Sequence, residues 1–468
     1  MTGAHVYHYP RPSALDLPSG RLALETSGGT ALAGPVANPR FFTGFLTSPV
    51  IAAGGLQSVA QVARTRYYQP DQLAWRDPVV TGNGDRLRFE SFSGCCGVYA
   101  RLDVLSEGLD GEMLDRGTTN VDINEPLRRM LARVGSGDPL HLAVGADELA
   151  VSTLEGVAVE KKVALPPRWL RGFAEVQVLT AGFEPRAELS PMDAARFLRG
   201  LPSTSRASGA GWAVPFGRSL RTAARPTPGA VCLAGPQRLA ALLPLLPHAK
   251  GLRAYGPAVR AGSPEVASAW ELALPGMRLV LVLSPEVRRG FSGEGAVLDA
   301  LTGGEVGADA DLLGALLNFE PRVEVAELAE RAGLPMPRVR AALVGLGTSG
   351  RVGYDLAEAA CFHRELPYDA GLVDKANPRL RAARALAAAG AVRWTERGVA
   401  VVTVDEHPHS VRFGPDGAAL SCTCTWWARH RDGRGACSHV LAAELARDND
   451  NDDNSELSAL TNGMASDD

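Results

Sequence analysis

SCTCTWWARHRDGRGACSHVLAAELA, residues 421–446, holds three of the chain's seven cysteines in a C-x-C … C-x-H array. Two strand-like runs precede it, GVAVVTVD (398–405) and HSVRFG (409–414). In an extended strand, residues i and i+2 point to the same side, so the Cys422 and Cys424 sulfurs can reach one ion. Cys437 and His439 have the same spacing, but the segment after them, VLAAELAR (440–447), reads as a helix. Helical i, i+2 residues do not share a face. Cys437 is therefore expected in the loop and His439 in the first turn, with Ser438 as N-cap. Val440, Leu441 and Leu445 would pack back onto the strands. Three thiolates and an imidazole form a closed tetrahedral set of the structural zinc type, and one Zn2+ is the expected cofactor. His430 is a second imidazole within reach of the array. A disulfide or redox C-x-C would leave Cys437 and His439 unexplained, and catalytic zinc needs an open position that four protein donors do not leave. Three thiolates around the ion leave one negative charge. Arg429, Arg431 and Arg434, with the helix N-terminus, are placed to offset it. Zinc of this kind supplies about 10–16 kcal/mol toward folding a module with little core of its own.

The C-x-C, twelve residues, C-x-H order resembles the SWIM zinc-finger family. The strand pair before Cys422, Trp426 and Trp427 after Cys424, and the C-S-H-V entry into an Ala/Leu helix strengthen it. Thr425 departs from the proline that family members often carry there, outside the ligand set. The resemblance covers about residues 378–447 and implies a family associated with DNA and protein binding. Bacterial multi-domain SWIM proteins look like components encoded beside AAA+ ATPases and von Willebrand factor A proteins, which implies protein partners as an alternative. The preceding helix, PRLRAARALAAAG (378–390), adds three more arginines.

Working upstream, ADADLLGALLNFE (308–320), VAELAERAG (325–333) and LPMPRVRAALVGLGTSG (334–350) read as three helices with a tight turn before the last. RVGYD (351–355) and ACFHRELPY (360–368) read as a ribbon. That is the winged helix-turn-helix order. Arg338, Arg340 and Arg351 fall between Leu334 and Tyr354 with no acid among them, which makes them candidate nucleic-acid contacts together with Arg429, Arg431 and Arg434. The same scaffold also docks proteins, since fold does not fix function.

Residues 41–300 alternate β-like runs with amphipathic helices. PLRRMLARV (126–134) and QRLAALLPLL (237–246) each precede three such runs. VALPPRWLRGF (163–173) also lines up with LVLSPEVRRGF (281–291). An internal duplication of a helix-then-three-strand unit is one reading; two unrelated strands ending in similar turns is the other. A sliding-clamp-like arrangement fits the first. Residues 202–228 read as a linker or long loop.

The expected class is thus α+β and multi-domain: 1–40 loosely ordered, 41–300 the duplicated region, 305–372 winged-helix-like, 375–447 the SWIM module and 448–468 an acidic disordered tail. The tail's seven acids, taken from a net charge of −4, leave the body at +3. The apolar runs are too short and too broken by proline to span a bilayer. With no readable leader, a reducing cytoplasm is expected, where close cysteines bind metal rather than form disulfides. Cys95, Cys96, Cys232 and Cys361 read as core residues, and His407-Pro408-His409 as a solvated turn. No phosphate loop, nucleophile elbow or HExxH motif is present. The sequence reads as a non-enzyme that recognises nucleic acid, with a protein-docking adaptor as the alternative, and is silent on oligomeric state.

Overall fold

The computed structural model describes residues 40–68, 78–163, 165–202, 211–288, 290–291, 306–366, 378–396, 398–415, 417–431 and 435–447, plus four short strands nearer the N-terminus. These are β1 (Ala14–Asp16), β2 (Arg21–Ala23), β3 (Glu25–Thr26) and β4 (Gly29–Thr30), paired β1 to β2 and β3 to β4. The acidic tail and most of the loosely ordered N-terminus lie outside the described residues. The chain divides into two compact units. One comprises Met1–Ser292, Leu317–Glu324 and Gly350–Pro367; the other comprises Gly293–Leu316, Val325–Ser349 and Tyr368–Asp468.

In the first unit the order is β5 (Arg40–Leu46), α1 (Pro49–Arg64), β6 (Val79–Gly82), β7 (Leu87–Phe92), β8 (Val98–Val104), β9 (Leu109–Met113) and β10 (Gly117–Asn120). Then come α2 (Glu125–Leu131), β11 (His141–Gly145), β12 (Glu148–Thr153), β13 (Gly156–Lys161) and α3 (Pro167–Ala181). After them follow β14 (Glu184–Leu189), α4 (Pro191–Arg199), β15 (Gly211–Phe216), β16 (Ser219–Ala223) and β17 (Val231–Leu233). A 3-10 segment (Pro236–His248) leads into β18 (Gly251–Gly256), β19 (Ser268–Leu274) and β20 (Met277–Leu283). Helix followed by three antiparallel strands therefore occurs twice, at α2–β13 and at 236–283. The short matching stretches do not correspond, however: residues 167–173 open α3, whereas 284–288 are non-helical chain after β20. The expected linker at 202–228 also differs. Its described part builds β15 and β16, which pair with each other, β15 pairing on its other edge with β17; Pro215 and Gly217 had hidden the alternation.

The central sheet has eight antiparallel strands in the order β10-β6-β7-β8-β20-β19-β18-β14, closed in the middle by Met277–Leu283 against Val104–Val98. A five-stranded sheet runs β13-β12-β11-β5-β9. Helix α1 covers one face of the large sheet. It carries no large side chain at Gly54 and Gly55, where a Cβ would come within 2.9 Å of Leu245 and 2.8 Å of Leu102. Those two glycines let sheet and 3-10 segment close on the helix from both sides, burying Leu56, Val59, Leu102, Leu242 and Leu245. Burial at this level stabilises by about 25 cal/mol per Å2 of apolar surface.

The opposite face of that sheet holds the main departure from expectation. β7 (LRFESF) and β8 (VYARLDV) alternate as strands with a wet side do, yet every residue of both is buried. The cover comes from helix α3, residues 317–324 and a hairpin, β21 (Val352–Asp355) with β22 (Ala360–His363). This is the ribbon the sequence suggests as a wing. It packs on the large sheet because Asp355 supplies a carboxylate to that sheet's buried arginines.

In the second unit, α5 (Val306–Leu316), α6 (Val325–Ala332) and α7 (Met336–Thr348) pack together around Leu313, Leu328, Val339, Leu343 and Leu346. Within the 305–372 stretch the three helices fall in one unit, and residues 317–324 and the hairpin, bridged at Val323–Cys361, fall in the other. The unit continues with α8 (Pro378–Ala388), a four-stranded meander of β23 (Val392–Glu396), β24 (Val399–Val404), β25 (His407–Phe413) and β26 (Ala419–Cys422), then α9 (Thr425–His430). A last helix, α10, spans 438–447.

Candidate metal centre

The meander places the first two sulfurs. Cys422 ends β26 opposite Val411 of β25, and Thr423 is clamped to Ser410 by two bonds, its N–H to the Ser410 carbonyl (3.1 Å) and its hydroxyl accepting from the Ser410 N–H (3.0 Å). Cys424 is not a strand residue. It is the N-cap of α9, its sulfur accepting from the Trp427 N–H at 3.4 Å. Helix α9 occupies what the sequence suggests is loop, and Trp426 and Trp427 pack its first turn against the module's core. Cys437 enters from residues 435–436, and its carbonyl accepts from the Leu441 N–H at 3.1 Å. Cys437, rather than Ser438, is therefore the residue before the first turn of α10, and His439 lies within that turn. Val440 and Leu441 are buried against Val402, Val411 and Leu380.

The result is one group of donors. Cys422, Cys424, Cys437 and His439 bring their ligand atoms to within 4.8 Å of one another, with the three cysteines buried. Cys422 Sγ and His439 Nδ1 are 3.8 Å apart. Tetrahedral donors held about 2.3 Å (sulfur) and 2.0–2.1 Å (nitrogen) from an ion require separations of roughly this size. The arrangement is compatible with one bound metal ion. The Cys437 thiol is pushed down to about 4 by hydrogen bonds from Cys422 and His439, whereas the same coupling and burial hold Cys422 and Cys424 above the ordinary thiol range. Crowding three sulfurs makes one ionise readily at its neighbours' expense, and a cation removes that conflict.

His430 is not in the donor group; its ring lies on Trp426, centroids 4.5 Å apart. His409 is the histidine that does approach, stacking on His439 with centroids 4.1 Å apart. The sequence suggests a solvated turn there, but His407-Pro408-His409 opens β25, and the turn is made by Asp405 and Glu406, both with positive φ. Arg379 was also not singled out. From α8 it donates to the Ala436 (2.7 Å) and Gly435 (3.3 Å) carbonyls, and its guanidinium lies 4.3 Å over the Trp426 ring. Its signal in the sequence was only an arginine at the first turn of a helix.

The candidate nucleic-acid contacts lie on separate elements of the chain. Arg429 and Arg431 are exposed on and just after α9; Arg434 lies outside the described residues. Arg340 is exposed on α7. Arg338 donates to both oxygens of Asp309 on α5, at 2.7 and 2.8 Å, and Arg351 lies 3.5 Å from Glu365. Two of the six are thus paired with carboxylates.

The densest charge in the first unit is a buried network. Asp355 meets Arg88 (2.8 Å), Arg278 (2.9 Å) and Arg101 (3.2 Å), and Asp103 meets Arg101 (3.0 Å), Arg88 (3.1 Å) and Arg278 (3.2 Å). Arg86 pairs with Glu358, and Arg364 with Glu90. The three guanidinium groups hold the Asp355 carboxyl far below the usual carboxylate range despite its burial. Phe362 lies 4.0 Å under Arg88.

No protein-family model and no curated protein sequence matches the chain. Among solved structures, proliferating cellular nuclear antigen from Entamoeba histolytica aligns at 10% identity over 53% of this chain and 99% of its own, with a TM-score of 0.34. The PCNA2-PCNA3 complex from Sulfolobus tokodaii aligns at 8% identity over 52% and 99%, with a TM-score of 0.37. Among the described residues, no helix is long and apolar enough to cross a membrane.

Proposed function

We propose that the C-terminal module is a SWIM-type finger built around one structural zinc ion, and that the protein is a non-catalytic recognition factor contacting nucleic acid through it. The observation that carries the reading is the compact donor group of Cys422, Cys424, Cys437 and His439, its three cysteines buried. Zinc bound there would hold β26, α9 and α10 together. Thiolate-rich tetrahedral sites favour zinc, and four protein donors leave no position for a substrate. Helix α9, between the two ligand pairs, carries exposed Arg429 and is followed by exposed Arg431. A backbone-binding surface on it would act through phosphate charge, not base readout.

A second reading, docking of a protein partner on α5–α7, is favoured by the Arg338–Asp309 pair, which spends one of that region's cations internally. Leu312 and Met336 stay exposed on α5 and α7. The test is metal analysis of the freshly purified full chain, then anisotropy titration with random double- and single-stranded DNA at two salt concentrations. One equivalent of zinc is expected, with affinity that falls steeply in salt and falls again in an Arg429→Ala, Arg431→Ala double variant. Absence of stoichiometric zinc overturns the metal assignment. Zinc without DNA binding at low salt overturns the nucleic-acid reading and moves the search to protein partners.

A further inference from the structure

Between Asp193 and Glu265 the chain runs without an aspartate or glutamate and carries nine arginines and one lysine. In a protein whose acids outnumber its bases, 52 to 48, that is a long stretch of one sign. Its described residues run from α4 through β15, β16 and β17 to β18. Folding neutralises some of the charge. Arg196 bonds to Asp193 and Arg253 to Glu188, each at 3.1 Å, and Arg238 is buried on backbone carbonyls. Arg218, Arg221 and Arg225 are placed differently. The first lies in the turn between β15 and β16, the second in β16 and the third two residues past it. All three are exposed, and among the described residues no carboxylate pairs with them. Helix α4 and β14 pack against β16, but their carboxylates are already engaged. Asp193 meets Arg196, Glu188 meets Arg253, and Glu184 meets Arg186 at 3.0 Å.

The hairpin also holds an aromatic ring. β15 and β16 pair with Val214 opposite Arg221 and Phe216 opposite Ser219, which makes Phe216 and Arg221 diagonal neighbours on one face. The Arg221 guanidinium carbon lies 3.3 Å from the centre of the Phe216 ring. Nearer the base, that face buries Trp212 in a small cluster with Cys232 and Val259, and the other face buries Ala213 and Leu220 in the main core. The base of the hairpin is thus anchored on both sides while its tip stands in solvent, with Phe216 55% exposed.

A lone exposed apolar side chain is ordinary. A ring capped by a guanidinium among unpaired arginines is a different object. Single-stranded nucleic acid is bound by cations that follow its phosphates and by aromatic faces on which its bases stack. An acidic protein would satisfy the arginines and leave the ring without a role. A duplex keeps its base faces stacked inside, out of reach of Phe216.

We propose that the β15–β16 hairpin is a binding site for single-stranded nucleic acid, with Arg218, Arg221 and Arg225 on the phosphodiester backbone and Phe216 stacking on a base. The site lies in the first unit and does not rest on the zinc-finger reading.

The test is anisotropy titration of the zinc-loaded full chain with oligothymidine and with a duplex of equal length, between about 50 and 200 mM salt. Each variant is also made in the Arg429→Ala, Arg431→Ala background, so that failure of this site and failure of the finger as a nucleic-acid contact are read separately. Each phosphate contact to a single strand adds about 0.7 to the salt slope, so an Arg218→Ala, Arg221→Ala, Arg225→Ala triple variant should flatten it by about 2. Phe216→Ala should weaken binding about 5- to 150-fold, the worth of one stacked base, at unchanged slope, and Phe216→Trp should restore it. An unchanged urea midpoint in each variant confirms that the fold is kept. Absence of oligothymidine binding overturns the proposal, as does a triple variant with the wild-type slope. A silent Phe216→Ala with tighter binding of the duplex overturns it in favour of double-stranded backbone. Labelled polyglutamate bound as tightly as oligothymidine overturns it in favour of an acidic protein.

Discussion

Asp355 Oδ2 lies 2.8 Å from Arg88 Nη1, joining residues 267 positions apart in a site from which both side chains are shut off from water. The contact turns a hairpin into part of a sheet's core. A buried ion pair is weak evidence of net stability, because desolvation offsets attraction, but removing one partner leaves the other uncompensated. Here one carboxylate faces three guanidinium groups. Asp355→Ala is expected to destabilise the first unit by about 3–5 kcal/mol, read as a drop in urea midpoint at unchanged slope. A loss below about 1 kcal/mol, the scale of exposed pairs, would show that the network is wet in solution.

The same carboxylate sets an acid limit. Its folded pKa is depressed by Arg101, Arg88 and Arg278, so its contribution is fully present above the unfolded value of about 3.9 and is lost as pH falls below that. Glu271, which burial pushes above its ordinary range, runs the other way and gains as it protonates on acidification. Stability of the wild-type chain should therefore fall through the acid range more steeply than that of Asp355→Asn. Parallel stability curves for the two from pH 5 to pH 2.5 would remove Asp355 from the acid response.

What was legible in the sequence followed range of interaction. The metal donors lie within eighteen residues of one another, so their C-x-C and C-x-H spacing could gather Cys422, Cys424, Cys437 and His439 without a structure, although Cys424 caps α9 instead of continuing the strand. The helix-then-three-strand order was legible for the same reason. Arg88, Glu90, Arg101 and Asp103 were not legible as core. Their alternation is that of a wet face, and what covers them comes from residues 317–324 and 350–367. The ribbon at 352–363 was read correctly as a ribbon, but only Asp355 says where it docks, and a single aspartate has no pattern. Helix α9 was missed because its six residues are too few for periodicity, and its cap is a cysteine already assigned to metal.

Removing metal should separate the two units' behaviour. The second unit's meander and terminal helix share a small core of Val402, Val411, Val440 and Leu441, which the donor group ties together. Zinc binding of about 10–16 kcal/mol exceeds what so small a core supplies. A strong chelator, or Cys437→Ser, is expected to abolish hydrogen-exchange protection across β24–β26 and α10 and to change the emission of Trp394, Trp426 and Trp427. The eight-stranded sheet should keep its protection. Protection retained in β24–β26 after complete metal removal would show that the module folds on its side chains alone.

Arg379 makes the finest of these tests. It is not one of the four donors, yet it fixes the carbonyls of Gly435 and Ala436 immediately before Cys437 and lies over the ring of Trp426, four residues from Cys422. Groups that orient ligands without binding metal are worth about 10–100-fold in affinity. Arg379→Ala should weaken zinc binding within that range, measured by competition against a chromogenic chelator. Arg379→Lys should fall between, since a lysine reaches one carbonyl but has no planar group to lie on the indole. The structural alternative predicts a different result: if Arg379 only anchors α8, thermal stability of the zinc-loaded chain should fall while its zinc affinity stays at the wild-type value. Equal affinity in wild type and Arg379→Ala would therefore assign this arginine to packing and leave Cys437 positioned by α10 alone.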